Sequence, residues 1–201
     1  MKRTPISNHN CKIKLKTKKT FRLWSFQSVS AIKELNSNGI LQANWDLYYQ
    51  TGPFTKAYQW MAKQMAERNI NDNNQPPIWA WHSCAKYEKA PRLVDARGLL
   101  SDRDLEDGRL TIEFECPVDV VLLSSYGIWN KMLYEIFHSN EEIKIGMQII
   151  DCLFATKRKH FRKYDSIQAT LPYLKLDWVK DIRPLDLKPG DYDSYNIEGE
   201  V

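Results

Sequence analysis

Glu113 and Glu115 alternate with Leu110, Ile112 and Phe114, so a strand there sets both carboxylates on one face. Enclosed, such a pair shifts its own ionisation as acid/base catalysis requires; on a solvated face it only solubilises. Gln27 and Gln168 each stand among apolar neighbours. A buried amide costs about 1 to 3 kcal/mol unless it is hydrogen-bonded, so each is either a ligand contact or a structural amide bonded to nearby backbone. Trp79 and Trp81 share a face of the alternating run Ile78 to His82, where they either stack on a planar ring or fill the core. His82 and Cys84 carry metal-binding and proton-transfer groups, yet His-x-Cys lacks the remaining ligands, and a buried, satisfied histidine is the plainer reading. No metal is expected. Lys157, Arg158, Lys159, Arg162 and Lys163 surround His160, Phe161 and Tyr164. That mixture suits phosphates and a stacked base, or else a solvated helix end.

Several chemistries lose support. The chain has no Gly-rich phosphate loop, no Ser-His-Asp order and no HExxH motif. Cys11, Cys84, Cys116 and Cys152 have no paired spacing, which suits reduced thiols better than disulfides or a zinc knuckle. No run approaches the roughly 18 apolar residues of a membrane span, and the basic start leads into no signal-peptide core, so the expected location is the cytoplasm.

The 201 residues, 43% hydrophobic and 27% charged, suffice for one ample core. The formal charge of +4 is unevenly spread: 29 Lys and Arg oppose 25 Asp and Glu, but seven of the cations fall within residues 1–19, which hold no acid. The remainder is slightly acidic, and residues 186–201 carry Asp186, Asp191, Asp193, Glu198 and Glu200 against Lys188. We expect a basic flexible arm at 1–19, one domain at 20–185 and an acidic flexible tail at 186–201.

The elements that must position these groups follow from periodicity. Phe21 to Gln27 alternates as a strand, with Phe21, Leu23, Ser25 and Gln27 on one face and Arg22, Trp24 and Phe26 on the other. Ser28 or Ser30 caps a helix striped by Ala31, Ile32 and Leu35, and Gly39 ends it. Phe54, Tyr58, Met61 and Met65 recur at helical spacing. Ile78 to His82 and Leu110 to Glu115 read as strands, with a polar loop from Arg92 to Gly108 between them. Val120 to Leu123 is a short strand, and Ser124 or Ser125 then caps a helix carrying Ile128, Trp129, Met132, Leu133 and Ile136. Asn140, Glu141 and Glu142 open another helix through Ile145, Ile149 and Cys152. Ser166 to Leu171 and Trp178 to Ile182 close the chain as strands around a break at Pro172. The order is too irregular for repeated βαβ units, so the expected class is α+β, a single domain with a mixed or antiparallel sheet and flanking helices.

The stretches Leu23 to Gln27, Tyr58 to Met61, Gln64-Met65, Pro77 to Trp81, Ile112 to Pro117, Leu122 to Ser124, Trp129 and Ile167 to Ala169 resemble a bacterial family, domain-of-unknown-function family 3841. The resemblance spans about Phe21 to Pro184. Two departures stand out: the family usually shows an acid where this chain has Ser125, and it usually begins close to the first strand, so residues 1–19 look like an addition.

A weaker resemblance joins the opening strand, helix and Asn38-Gly39-Ile40-Leu41 to the late Ile167-Gln168-Ala169, and looks like small ADP-ribosyltransferases acting on nucleic acid. It implies NAD as cofactor and a glutamate that stabilises an oxocarbenium-like transition state. Thr170 stands at that glutamate's position. Either the acid comes from elsewhere, such as Glu113 or Glu115 with Gln168 beside it, or the fold binds a nucleotide without transferring it.

Three functions are therefore expected to compete. The first is a nucleotide- or small-ligand-binding domain, a degenerate ADP-ribosyltransferase in resemblance, whose cleft gathers Trp24, Ser25, Gln27, Trp79, Trp81, His82 and Gln168. The second is a nucleic-acid-binding accessory protein using the basic arm and the Lys157 to Lys163 cluster. The third is a partner-binding module without a small ligand.

Overall fold

The computed structural model describes residues 19–48, 54–70, 75–138, 145–162 and 165–187, the side chains at 47–48 and 134–138 excepted. The basic arm up to residue 18, Lys163, the helix opening at Asn140 and the tail beyond residue 187 lie outside the described residues. In chain order the elements are β1 (Thr20–Ser28), α1 (Val29–Asn38), β2 (Ile40–Leu41), α2 (Trp45–Tyr48), α3 (Phe54–Ala66) and β3 (Ile78–Cys84). They continue with α4 (Leu93–Arg97), α5 (Asp102–Glu106), β4 (Arg109–Pro117), β5 (Leu122–Ser125), α6 (Tyr126–His138), α7 (Met147–Leu153), β6 (Ser166–Leu171), β7 (Leu174–Lys175) and β8 (Val179–Pro184).

Six strands form one sheet in the order β5-β6-β3-β1-β4-β8, and β2 pairs with β7 in a small second sheet. Every pairing in the large sheet is antiparallel. With helices flanking it, the domain is α+β. Strand alternation divides the side chains between two faces. On the first, Leu23, Ile112, Phe114, Ala80 and Leu171 pack beneath Ile32 and Leu35 of α1 and Leu41 and Leu174 of the small sheet. On the second, Leu122 packs with Ala57, Met61 and Met65 of α3, Trp129 and Met132 of α6 and Leu153 of α7, with Trp79 against them. None of the helices among the described residues is long and apolar enough to cross a membrane.

Local chemistry explains the ends of α1. Ser28 Oγ accepts from the Ala31 N–H, and Gly39 takes φ +71°, donating its N–H to the Leu35 carbonyl. A side chain is strained in that left-handed backbone, and glycine is not.

The polar stretch Arg92 to Gly108, expected to be loop, instead holds α4 and α5. Reciprocal bonds between Ser101 and Asp104 cap α5, and Asp95 takes the Arg92 N–H and guanidinium at the start of α4. These helices are too short to display an apolar period, yet Ala96 and Leu105 are buried with Leu187. Packing thus reaches into the stretch read as the acidic tail. The strand expected at Val120 to Leu123 begins two positions later, because a 3-10 turn occupies Val118–Val120. Another such turn, Leu176–Trp178, displaces the start expected at Trp178, and β8 begins at Val179. Helix α7 begins only at Met147, with Gly146 preceding it in extended backbone.

Candidate functional site

The strand register sorts the residues expected to line one cleft. Ser124 lies opposite Gln168, Gln168 opposite Trp81, Trp81 opposite Trp24, and Trp24 opposite Glu113. These side chains form one row across the second face, and Trp79 and Glu115 share that face by alternation. Ser25 and Gln27 alternate onto the first face, and His82, edge-on to Phe21 at 5.1 Å, lies there too. The expected cleft is therefore divided by the sheet itself. The alternation of Phe21 to Gln27 already contained that separation.

Each member of the row has a structural partner. Gln168, 4% exposed, donates from Nε2 to Ser124 Oγ at 3.0 Å, and Thr170, fully buried, donates to the Leu122 carbonyl at 3.3 Å. The Trp81 ring meets Tyr126 edge-on at 4.9 Å, while Trp79 packs between Tyr58 and Trp129 at 5.3 and 5.2 Å. Trp24 and Trp81 are buried at 3% and 7% exposure.

Glu113 accepts from Arg22 Nε at 2.7 Å and from Trp24 Nε1 at 3.0 Å, with Arg183 Nη1 at 3.5 Å. Burial pushes its pKa up, but the bonds from Trp24 and Arg22 and the Arg22 charge outweigh this and hold it below its ordinary value. Such a carboxylate is a fixed anion rather than a proton carrier near neutral pH. Glu115 is exposed, with Lys180 at 3.6 Å. Glu113 stands three strand spacings from Gln168, about 14 Å.

On the first face, Ser25 donates to the Trp79 carbonyl at 2.7 Å, and Gln27 Nε2 donates to Ser25 Oγ at 2.7 Å. A single registered pair, Trp24 with Trp81, joins β1 to β3. Ser25 and Gln27 serve the backbone where that ladder stops. His82, 1% exposed, shares a 2.8 Å bond between Nδ1 and Ser83 Oγ, while its buried Nε2 has no partner among the described residues. Burial pushes its pKa down, Glu88 opposing only in part, which favours the neutral ring. Burial likewise pushes the Cys84 and Cys116 thiols up to about 12, far from a reactive thiolate.

Accessible concavity lies elsewhere, and one groove forms where the end of β5, the start of α6 and the start of β6 meet. A groove of about 430 Å³ is lined there by Ser125, Gly127, Lys131, His160, Phe161 and Arg162, among others. Ser124 is committed to Gln168, so Ser125 takes the cap position, its Oγ a long 3.5 Å from the Ile128 N–H. The first-turn N–H groups of α6, one of them capped by Ser125, carry the positive end of the helix dipole. A Cβ placed on Gly127 would meet nothing within 4 Å, so that turn is open. Among the described residues no ion pair engages Lys131 or Arg162.

Among the described residues of the expected basic cluster, only Arg162 lines this groove, beside His160 and Phe161. Lys157, Arg158 and Lys159 are exposed on the adjoining turn. Sequence reasoning missed Ser125, Gly127 and Lys131. Their signal was a serine-capped helix opening with glycine, and a lysine one turn further along the same helix face.

A family model described as domain of unknown function (DUF3841) matches residues 22–146. No curated protein and no solved structure matches the chain.

Proposed function

We propose that this chain, which belongs to the DUF3841 family, binds a nucleotide in the groove at the start of α6, holding its phosphate there and its base against Phe161. The carrying observation is a groove of about 430 Å³ lined together by Ser125, Gly127 and Lys131 at the start of α6 and by His160 and Arg162. A helix start beside cations that make no ion pair among the described residues favours a phosphate, which accepts several hydrogen bonds at once. The half-buried Phe161 ring supplies the planar surface a base requires.

The reading is binding without ADP-ribosyl transfer. Thr170 is locked between Leu122 and Trp79, and Glu113 is consumed by Arg22, Trp24 and Arg183. Neither lines this groove; Asp165 does, with its carboxylate accepting from the Arg162 backbone N–H at 2.9 Å.

Isothermal titration of the full chain with adenosine 5′-monophosphate and with adenosine tests the proposal. The phosphate should improve affinity at least about tenfold, and Lys131→Glu should remove that advantage. Equal affinity for the two, or a phosphate advantage that survives Lys131→Glu, contradicts it.

A further inference from the structure

Phe161 is a shared wall. It also lines a second groove of about 710 Å³, with Lys86, Tyr87, Ser166 and Arg92, whose guanidinium is bonded to Asp95 in the same lining. Phe161 and Ser166 therefore belong to both concavities.

Tyr87 comes from a turn whose backbone is unusual. Ala85 and Glu88, on either side of it, take φ +59° and +56° although neither is glycine. Such strain persists only where surrounding structure over-determines it. Here the Cys84 N–H bonds the Lys89 carbonyl at 3.0 Å, and the Glu88 N–H bonds Ser83 Oγ at 2.8 Å. The Tyr87 ring makes perpendicular ring contacts with His82 at 5.2 Å and with Phe161 at 5.6 Å. The turn fixes one aromatic ring at the junction of two grooves, with exposed Lys86 beside it.

We infer that the two grooves take successive nucleotides of a single strand of nucleic acid, with Phe161 between the two bases and Tyr87 lining the second position. This rests on the nucleotide reading above and names the class of ligand. A lone nucleotide would use one ring and one phosphate site, and would leave the strained Tyr87 turn and Lys86 without a task. Rings recessed in grooves reach bases that are unstacked and splayed, which a paired duplex does not present. Aromatic stacking joined to individual cations, Lys131 and Arg162 at the first position and Lys86 at the second, reads strand rather than sequence.

The test measures affinity of the full chain for thymidylate as mononucleotide, dinucleotide and tetranucleotide, with the uridylate series and a blunt duplex alongside. Affinity should rise about tenfold from mononucleotide to dinucleotide in at least one sugar series, and the duplex should bind more weakly than the tetranucleotide. Tyr87→Ala and the surface variant Lys86→Glu should pull the ratio of dinucleotide to mononucleotide affinity toward one, while Tyr87→Phe keeps it. Lys86→Glu reads the same ratio if Tyr87→Ala fails to fold. A flat length dependence in both series overturns the strand inference while leaving nucleotide binding standing, as does a ratio insensitive to Lys86→Glu. Absence of any mononucleotide or strand binding overturns both.

Discussion

Trp24 donates its indole N–H to Glu113 Oε2 at 3.0 Å, directly across the β1–β4 register, and so turns a possible catalytic acid into part of the sheet. The Arg22 and Arg183 side chains that complete the cluster are 60% and 44% exposed, so solvent screens their share. The carboxylate itself is only 12% exposed and keeps the stronger part of the bonding.

Glu113→Gln should therefore destabilise the fold by about 1 to 2 kcal/mol at neutral pH, measured by urea unfolding. The Glu113 pKa in the folded state lies below the ordinary 4.5, so its contribution is complete above that pH and is lost as the pH falls through the folded value. The wild type should weaken on acidification through this window and the variant should weaken less. Nucleotide affinity at neutral pH should be the same in both, which separates this cluster from the groove.

Ser124→Ala removes the acceptor of the buried Gln168 amide and should cost about 1 to 3 kcal/mol. Adding Gln168→Leu to Ser124→Ala should recover part of the loss, because an apolar pair leaves nothing unsatisfied. A double variant worse than the sum of the two singles would mean that Gln168 serves some other partner.

His82 gives a pH dependence of the opposite chemical origin. Its folded pKa lies below the ordinary 6.5, so below that pH the unfolded chain takes up a proton that the folded chain resists. Stability should fall as the pH drops from about 6.5 toward the folded value. His82→Phe keeps a ring against Phe21 and Tyr87 and should flatten that part of the profile, as read from Tm against pH.

Much of this fold is legible in the residue order, because its signals are local. The alternation in β1 and β4, the Ser28 and Gly39 caps of α1 and the stripe of α3 each depend on near neighbours alone. Helices α4 and α5 are hidden because each spans little more than one turn. The site was less legible for a different reason. Gln27, Gln168, Trp79 and Trp81 draw notice as polar or bulky groups in apolar runs, but their partners lie on strands distant in sequence. Ser124 satisfies Gln168 from 44 residues away, and Trp79 accepts Ser25 through its carbonyl across 54. The groove residues Gly127 and Lys131 are unremarkable in sequence and acquire meaning only where β6 brings Phe161 and Arg162 beside them.

Phosphate recognition in that groove predicts a salt dependence. For a single-stranded tetranucleotide, the slope of log affinity against log salt should shrink by about 0.7 for each phosphate contact removed. Lys131→Gln and Arg162→Gln should each reduce it by about that amount, while Lys180→Gln, on the distant β8, should leave it unaltered.

The most direct test of the nucleotide site is an amide chemical-shift titration of the full chain with adenosine 5′-monophosphate. The largest shifts should fall on the N–H groups of Tyr126, Gly127 and Ile128, with Phe161 and Arg162 following, and Lys131→Glu should suppress them together. Largest shifts instead around Trp24, Ser25 and Gln27, or none at the start of α6 at saturating nucleotide, would contradict it.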